Sequence, residues 1–133
     1  MIKYMLDTNI LIYTIKNRPK KVRDAFKKHA DYLAMSTVTL GELIYGAEKS
    51  TQSVRNLADI EALAARMDVV PFDSQAAIHF GQVRAELSKS GKLIGPFDLM
   101  IAGHARSRGL ILVTNNLREF KRVPGLRVEN WVR

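Results

Sequence analysis

Short apolar runs alternate with amphipathic segments along this chain, and the alternation restricts its fold more than any other feature. The strand-like runs cover residues 2–6, 32–35, 68–72, 110–113 and 127–132. Helical spacing of apolar residues occupies most of the sequence between them, over residues 20–30, 39–47, 53–66, 74–89 and 96–105. Strands that alternate with helices predict a parallel sheet with helices on both faces. A chain of 133 residues is near the usual size of one domain, so we predict a single α/β domain over residues 1–133.

Four acids stand where such a fold places its working site, beyond the carboxyl ends of the strands. Asp7 directly follows the first strand. Glu42 lies in TLGE, Asp98 in GPFD and Glu119 in NLRE, each near the predicted start of a helix. Because helix starts converge at this edge of the sheet, the four acids are candidates for one shared site.

Each acid also has a purely structural explanation. Thr39 and Glu42 have the spacing of a capping box, and Glu119 repeats nearly the same spacing. Asp98 falls in a first helical turn, where the helix dipole favours an acid, and Asp7 can cap the next helix. Capping is the better explanation of any one acid alone, but the two explanations do not exclude each other.

The charge balance favours a polyanionic partner. The chain carries 21 Lys and Arg residues against 13 Asp and Glu residues, a net charge of +8. Eight of the basic residues lie within residues 1–30, against Asp7 and Asp24 alone. Such a surface attracts phosphates, although a solvated basic face is the plainer alternative.

A cluster of acids within a basic protein suits metal-dependent cleavage of nucleic acid. Neighbouring carboxylates repel one another unless a cation joins them, and Mg²⁺ or Mn²⁺ takes oxygen ligands. A bound metal activates water and stabilises charge on phosphate, while basic residues hold the backbone. Candidates for that contact are the basic residues from Lys16 to Lys28, together with Arg84, Arg106 and Arg118.

Other chemistry has little support in the sequence. The absence of cysteine excludes disulfides, thiolate zinc sites and thiol nucleophiles. The histidines lack metal-ligand or triad spacing, so we expect His104 to be structural or on the surface. Trp131 and the phenylalanines are expected in the core rather than as base-stacking platforms. No apolar run approaches the ~20 residues of a membrane span, and we expect a cytoplasmic protein with no membrane partner.

Four blocks that contain these acids resemble the PIN-domain ribonucleases, and more narrowly the VapC toxins of type II toxin–antitoxin systems. The blocks are MLDTNILIY, TLGELIYGAEKS, GPFDLMIAGHARSRGL and LVTNNLREF. They occur in the family's order and extend over essentially the whole chain. The resemblance implies a PIN-like three-layer α/β/α fold with a central, mostly parallel sheet of four to five strands.

The resemblance also implies roles for individual residues. Asp7 and Asp98 would be the main ligands of Mg²⁺ or Mn²⁺, and Glu42 would complete the catalytic site or hold a bound water. Thr8, Asn9 and Thr114 would position backbone and ligands around that site.

The expected activity is endonucleolytic cleavage of RNA. The NNLREF form resembles toxins that cut tRNA in the anticodon region, with the initiator tRNA as the leading candidate. The expected partners are a second copy of the chain and a cognate VapB-type antitoxin, which lies across the active groove. Operator DNA would be contacted only through the antitoxin.

One position departs from the family pattern. Many PIN domains read TND in the closing block, whereas this chain reads TNN and places Asn116 where a fourth acid is common. Glu119 lies one helical turn later and is the available substitute, because residues three apart share a helix face. The fourth catalytic position is therefore open between Asn116 and Glu119.

Two other functions fit the same fold class. A non-catalytic RNA-binding PIN module would bind RNA without a metal and release no products. A phospho-acceptor receiver domain needs paired acids near the first strand, whereas Asp7 has no neighbouring acid.

Overall fold

A sheet of five parallel strands forms the centre of the computed structural model, which describes residues 1–17 and 20–132. The strands are β1 (Tyr4–Leu6), β2 (Leu33–Ser36), β3 (Asp68–Val70), β4 (Ile111–Val113) and β5 (Val128–Glu129). Their order is β3-β2-β1-β4-β5, and every neighbouring pair is parallel. The first strand is thus central, with β2 and β3 on one side of it and β4 and β5 on the other.

Seven helices connect and cover these strands. They are α1 (Thr8–Asn17), α2 (Lys20–Lys28), α3 (Thr37–Glu48), α4 (Ser53–Ala64), α5 (Ser74–Lys89), α6 (Pro96–Ser107) and α7 (Leu117–Phe120). A short 3-10 helix, Ala30–Tyr32, precedes β2. No helix of the described residues is long and apolar enough to cross a membrane.

The strands send alternate side chains into two separate cores. Tyr4 and Leu6 of β1 face a core that includes α1, α2, α3 and α4. Met5 faces the opposite core, which α5 and α6 cover. This period-two alternation confirms the predicted three-layer α/β/α arrangement and its parallel sheet.

Helices α5 and α6 approach each other closely at Gly103. A Cβ atom at this position would lie 2.6 Å from the backbone nitrogen of Phe80, far inside normal contact. Only a residue without a side chain permits this spacing, and Gly103 lies between Asp98 and the end of α6.

The main differences from the sequence predictions occur at helix starts and on one helix face. Helix α3 begins after Ser36, whose Oγ accepts a hydrogen bond from the Val38 backbone N–H at 3.1 Å. The predicted capping box at Thr39 is therefore wrong, and Thr39 is buried inside the helix. Trp131 is buried as predicted, whereas Phe97 is 54% exposed and does not belong to the core.

Candidate active site

Asp7 lies at the carboxyl end of β1 and is almost fully buried. Its Oδ1 accepts a hydrogen bond from the Ile10 backbone N–H at 2.7 Å, which is the bond of a helix N-cap. Its Oδ2 accepts one from the Thr114 hydroxyl at 2.6 Å. Asp7 therefore caps α1, as the structural explanation held, and the remaining question is whether it also has acidic neighbours.

Thr114 ties the end of β4 to the end of β1. Its hydroxyl donates to Asp7, and the same oxygen accepts the Asn116 backbone N–H at 2.9 Å. The side chain is fully buried, so few alternative partners compete for this bond. Thr114 thus holds the Asp7 carboxylate in position.

The Glu42 side chain is held in place by Thr8, the first residue of α1. The Thr8 hydroxyl donates to Glu42 Oε1 at 2.7 Å and lies 3.3 Å from Thr39 Oγ1. Sequence reasoning missed the contribution of Thr39, because its spacing from Glu42 resembled a cap. Asn9, the other expected support, is exposed and makes no side-chain hydrogen bond within the described part of the chain.

Asp7 and Asp98 both have raised pKa values. Burial raises the pKa of Asp7 to about 6, against the lowering effect of its bonds from Thr114 and Ile10. The negative charges of Asp98 and Glu42 raise it further.

Asp98 lies in the first turn of α6, as predicted. The pKa of Asp98 is also raised to about 6. Burial is the largest cause, and the negative charges of Glu119 and Glu42 contribute in the same direction. Asp7 therefore experiences the charges of Asp98 and Glu42, and Asp98 those of Glu119 and Glu42, although the four acids come from four different elements.

The closing block places Glu119 among these acids. Glu119 lies in the first turn of α7, and its charge acts on Asp98. Asn116 occupies the N-cap position of α7, but its side chain makes no capping hydrogen bond. The charge that the TNN sequence lacks is thus available from Glu119.

The donor set suits a hard divalent cation. Carboxylate oxygens are the ligands that Mg²⁺ and Mn²⁺ prefer, and two carboxylates with waters and substrate phosphate commonly suffice. Within residues 1–17 and 20–132, no three His, Asp or Glu side chains are close enough to enclose a metal by themselves. The arrangement fits an open site that substrate and water complete, rather than a closed structural one.

A groove runs from the basic helix α2 towards these acids. A cavity of about 460 Å³ is lined by Arg23 and Lys27 of α2, by Arg66 and by the apolar side chains of Phe26 and Leu63. It shares its Ile15 and Asp59 lining with a second cavity of about 340 Å³, and that cavity reaches Glu42. Glu42 thus lies at one end of a surface with a basic rim and an apolar floor.

The other basic candidates differ in availability. The Arg106 guanidinium donates to His79, Gln82 and the Pro124 carbonyl, so it joins α6 to its neighbours and is a poor RNA contact. Arg84 and Arg118 are exposed. Arg18 lies outside the described residues.

Comparison with known proteins decides the family. The PIN domain matches residues 4–126. A protein of Shigella flexneri named tRNA(fMet)-specific endonuclease VapC is 61% identical over 131 residues, which are 98% of this chain and 99% of the relative. The chain belongs to the VapC proteins of the PIN-domain family.

Other members of the family agree with this assignment. The tRNA(fMet)-specific endonuclease VapC of Salmonella typhimurium is 56% identical over 98% of this chain and 99% of its own length. A crystal structure of DNA-bound VapBC from that organism superposes with a TM-score of 0.96, over 98% of this chain and 99% of the matched chain. The PIN fold inferred from the four sequence blocks is therefore confirmed.

Proposed function

We propose that this protein is a toxin that cleaves tRNA and is neutralised by a cognate VapB-type antitoxin. One structural observation carries the proposal: Asp7 and Asp98 lie near enough to the other predicted acids for the charges of Glu42 and Glu119 to act on this pair. The names of the relatives from Shigella flexneri and Salmonella typhimurium support tRNA(fMet) as the substrate. Cleavage in the anticodon region of the initiator tRNA is the leading expectation.

Asp7 and Asp98 would hold the Mg²⁺ or Mn²⁺ ion. When bound, the cation lowers the pKa of its water and offsets the negative charge that develops on the phosphate. The chain keeps Asp7 ready for this role, because the bonds from Thr114 and Ile10 favour its ionised form. Metal binding and protonation therefore compete at these two carboxyl groups near pH 6.

Glu42 is the candidate base for the attacking water. Its Oε1 is engaged by Thr8, and no described residue donates to Oε2. Oε2 can therefore accept a proton from a water molecule while the Thr8 bond holds the carboxylate in place. Glu119 would add negative charge beside Asp98 and so favour cation binding there.

The groove beside Glu42 is where we expect the partners to compete. The basic side chains of Arg23, Lys27 and Arg66 suit a polyanion or an acidic peptide, and the apolar floor suits the antitoxin segment. The Salmonella typhimurium relative was crystallised as VapBC bound to DNA. We propose that operator DNA is contacted here only through the antitoxin. We also propose that this chain forms a homodimer and acts in the cytoplasm.

The experiment that tests this proposal maps RNA 5′ ends in cells after brief induction of the wild type and of Asp7→Asn. New ends in the anticodon region of the initiator tRNA are expected in the wild type alone. Identical ends in both strains would contradict the role of Asp7. RNA binding that persists in EDTA, without products at any metal concentration, would favour the non-catalytic module instead.

A further inference from the structure

His104 is a fully buried histidine in α6, six residues after Asp98. Its Nδ1 lies 2.8 Å from Ser36 Oγ. Its Nε2 is the only buried side-chain nitrogen or oxygen in residues 1–17 and 20–132 that lacks a hydrogen-bond partner. An unpaired polar atom in a core lowers the stability of the folded state. An apolar side chain would therefore be more favourable here if packing alone mattered.

Ser36 ends β2 and is the N-cap residue of α3. Its Oγ accepts the Val38 backbone N–H, so the same oxygen caps the helix that carries Glu42 and contacts His104. A second bond ties this junction together, from the Phe72 backbone N–H to Thr37 Oγ1 at 3.1 Å. The Phe72 ring also packs edge-on against the imidazole, with ring centroids 5.4 Å apart.

The setting of the imidazole favours its neutral form. Burial lowers the pKa of His104, the Arg108 charge lowers it further, and the Asp73 charge opposes them. Either Nδ1–H donates to Ser36 Oγ, or the Ser36 hydroxyl donates to Nδ1. Nε2 remains unpaired in both tautomers, so the Ser36 contact is the only hydrogen bond that the His104 side chain makes within the described residues.

We infer that His104 is a positioning residue: its bond to the Ser36 cap sets the start of α3 and thereby the position of Glu42 relative to Asp98. The bond joins the helix that carries one acid to the cap of the helix that carries the other. The inference rests on the proposed nuclease function. It adds a role for a histidine that touches neither substrate nor metal.

Two substitutions at position 104 separate positioning from packing. His104→Leu keeps apolar bulk and removes the bond, whereas His104→Asn keeps a polar atom near Nδ1 that can bond to Ser36. We expect His104→Leu to lower the single-turnover cleavage rate at saturating tRNA by about 10- to 100-fold, because small displacements of reacting groups are costly. The Kd for tRNA should stay within about twofold, since the RNA-binding surface is unchanged.

Ser36→Ala completes the test, because it removes the same bond from the other side. Its rate loss should be at least that of His104→Leu, because it also removes the cap on the Val38 N–H, and the double variant should be no slower than Ser36→Ala alone. Ser90→Ala is the matched control: it removes a serine hydroxyl that donates to carbonyls in the last turn of α5, a helix that carries none of the four acids, and it should leave the rate unchanged. If His104→Leu does not fold, Ser36→Ala and His104→Asn carry the comparison.

The following results would overturn the inference. His104→Leu could cleave at the wild-type rate per folded molecule, the losses of the two single variants could multiply, or His104→Asn could fail to recover activity while folding normally. Mn²⁺ affinity, measured by titration calorimetry without RNA, should fall in His104→Leu and recover in His104→Asn. A wild-type protein without metal-dependent cleavage would refute the proposed function, whereas the Mn²⁺ affinities would still test the positioning role.

Discussion

Asp7 shows how one side chain can be both a helix cap and a candidate metal ligand. One carboxylate oxygen satisfies the Ile10 N–H at the start of α1, and the other accepts the Thr114 hydroxyl. Both bonds stabilise the charged form in a site whose burial disfavours it. The carboxylate is therefore held rigidly and remains able to ionise near neutral pH.

Asp7→Asn should abolish cleavage and make the metal-free protein more stable at pH 7.5. Burial raises the pKa of Asp7 to about 6, so its ionised form destabilises the folded state above that pH. Asparagine is nearly isosteric and removes this cost, which is on the order of 1–3 kcal/mol. Thermal unfolding in EDTA measures the change, with Asp31→Asn, an exposed acid, as the control. A destabilised Asp7→Asn protein would contradict the assigned charge state.

Thr114→Val should move the acid limb of the pH–rate profile to higher pH. The Thr114 bond lowers the pKa of Asp7, so its loss raises that pKa and leaves less ionised Asp7 at a given pH. Thr114→Ser keeps the hydroxyl and should keep the wild-type profile. An unchanged profile in Thr114→Val would show that the titration of Asp7 does not control the rate.

The sequence identified the four acids because each follows a strand or opens a helix, which are local signals. The bonds that hold the acids are not local: Thr8 and Glu42 are 34 residues apart, and Asp7 and Thr114 are 107 apart. No pattern in one chain reveals such pairs. The resemblance to a known family supplied the roles of Thr8 and Thr114, and the structure supplies their partners.

At the scale of elements, the contact between α5 and α6 determines where Asp98 lies. Gly103→Ala should destabilise the protein by about 1–3 kcal/mol, because its Cβ would overlap the Phe80 backbone and push the helices apart. Gly81→Ala in α5 is the control, since nothing lies within 4 Å of its Cβ. That substitution should stabilise the helix by roughly 0.5–1 kcal/mol. Urea unfolding of both variants tests the pair, and equal effects would contradict the close approach.

The helices and strands were predicted best where the spacing of apolar residues agreed with residues that begin or end such elements. Helix α6 begins at Pro96 and α5 spans residues 74–89, as the helical spacing predicts, whereas β3 ends at Val70, before Pro71 and two residues short of the predicted run. The helical spacing does not identify the buried face of α5 completely, because Ile78 is apolar but 50% exposed. Helical spacing fixes which residues share a face, but the tertiary contacts select the face that is buried.

At the scale of the whole molecule, protons and divalent cations compete for the same carboxylates. The raised pKa values of Asp7 and Asp98 favour their protonated forms in the folded state. The stability contributed by these two groups is therefore greatest below their usual pKa near 4. It is lost as the pH rises to about 6.

Mn²⁺ should raise the Tm markedly at pH 7.5 and little at pH 5. Above pH 6 the two acids are ionised and repel each other, so a cation that binds them stabilises the folded state by mass action. The rise at pH 7.5 should be absent in Asp7→Asn. Equal Tm shifts at both pH values, or in both proteins, would show that Mn²⁺ acts elsewhere.

The most direct measurement of the central claim is cleavage of isolated initiator tRNA by purified, EDTA-treated protein. The account predicts no product in EDTA, products cut in the anticodon region after Mn²⁺ or Mg²⁺ is restored, and no product from Asp7→Asn with either metal. Cleavage that continues in EDTA, or that Asp7→Asn retains in full, would contradict a metal-dependent ribonuclease built on these acids.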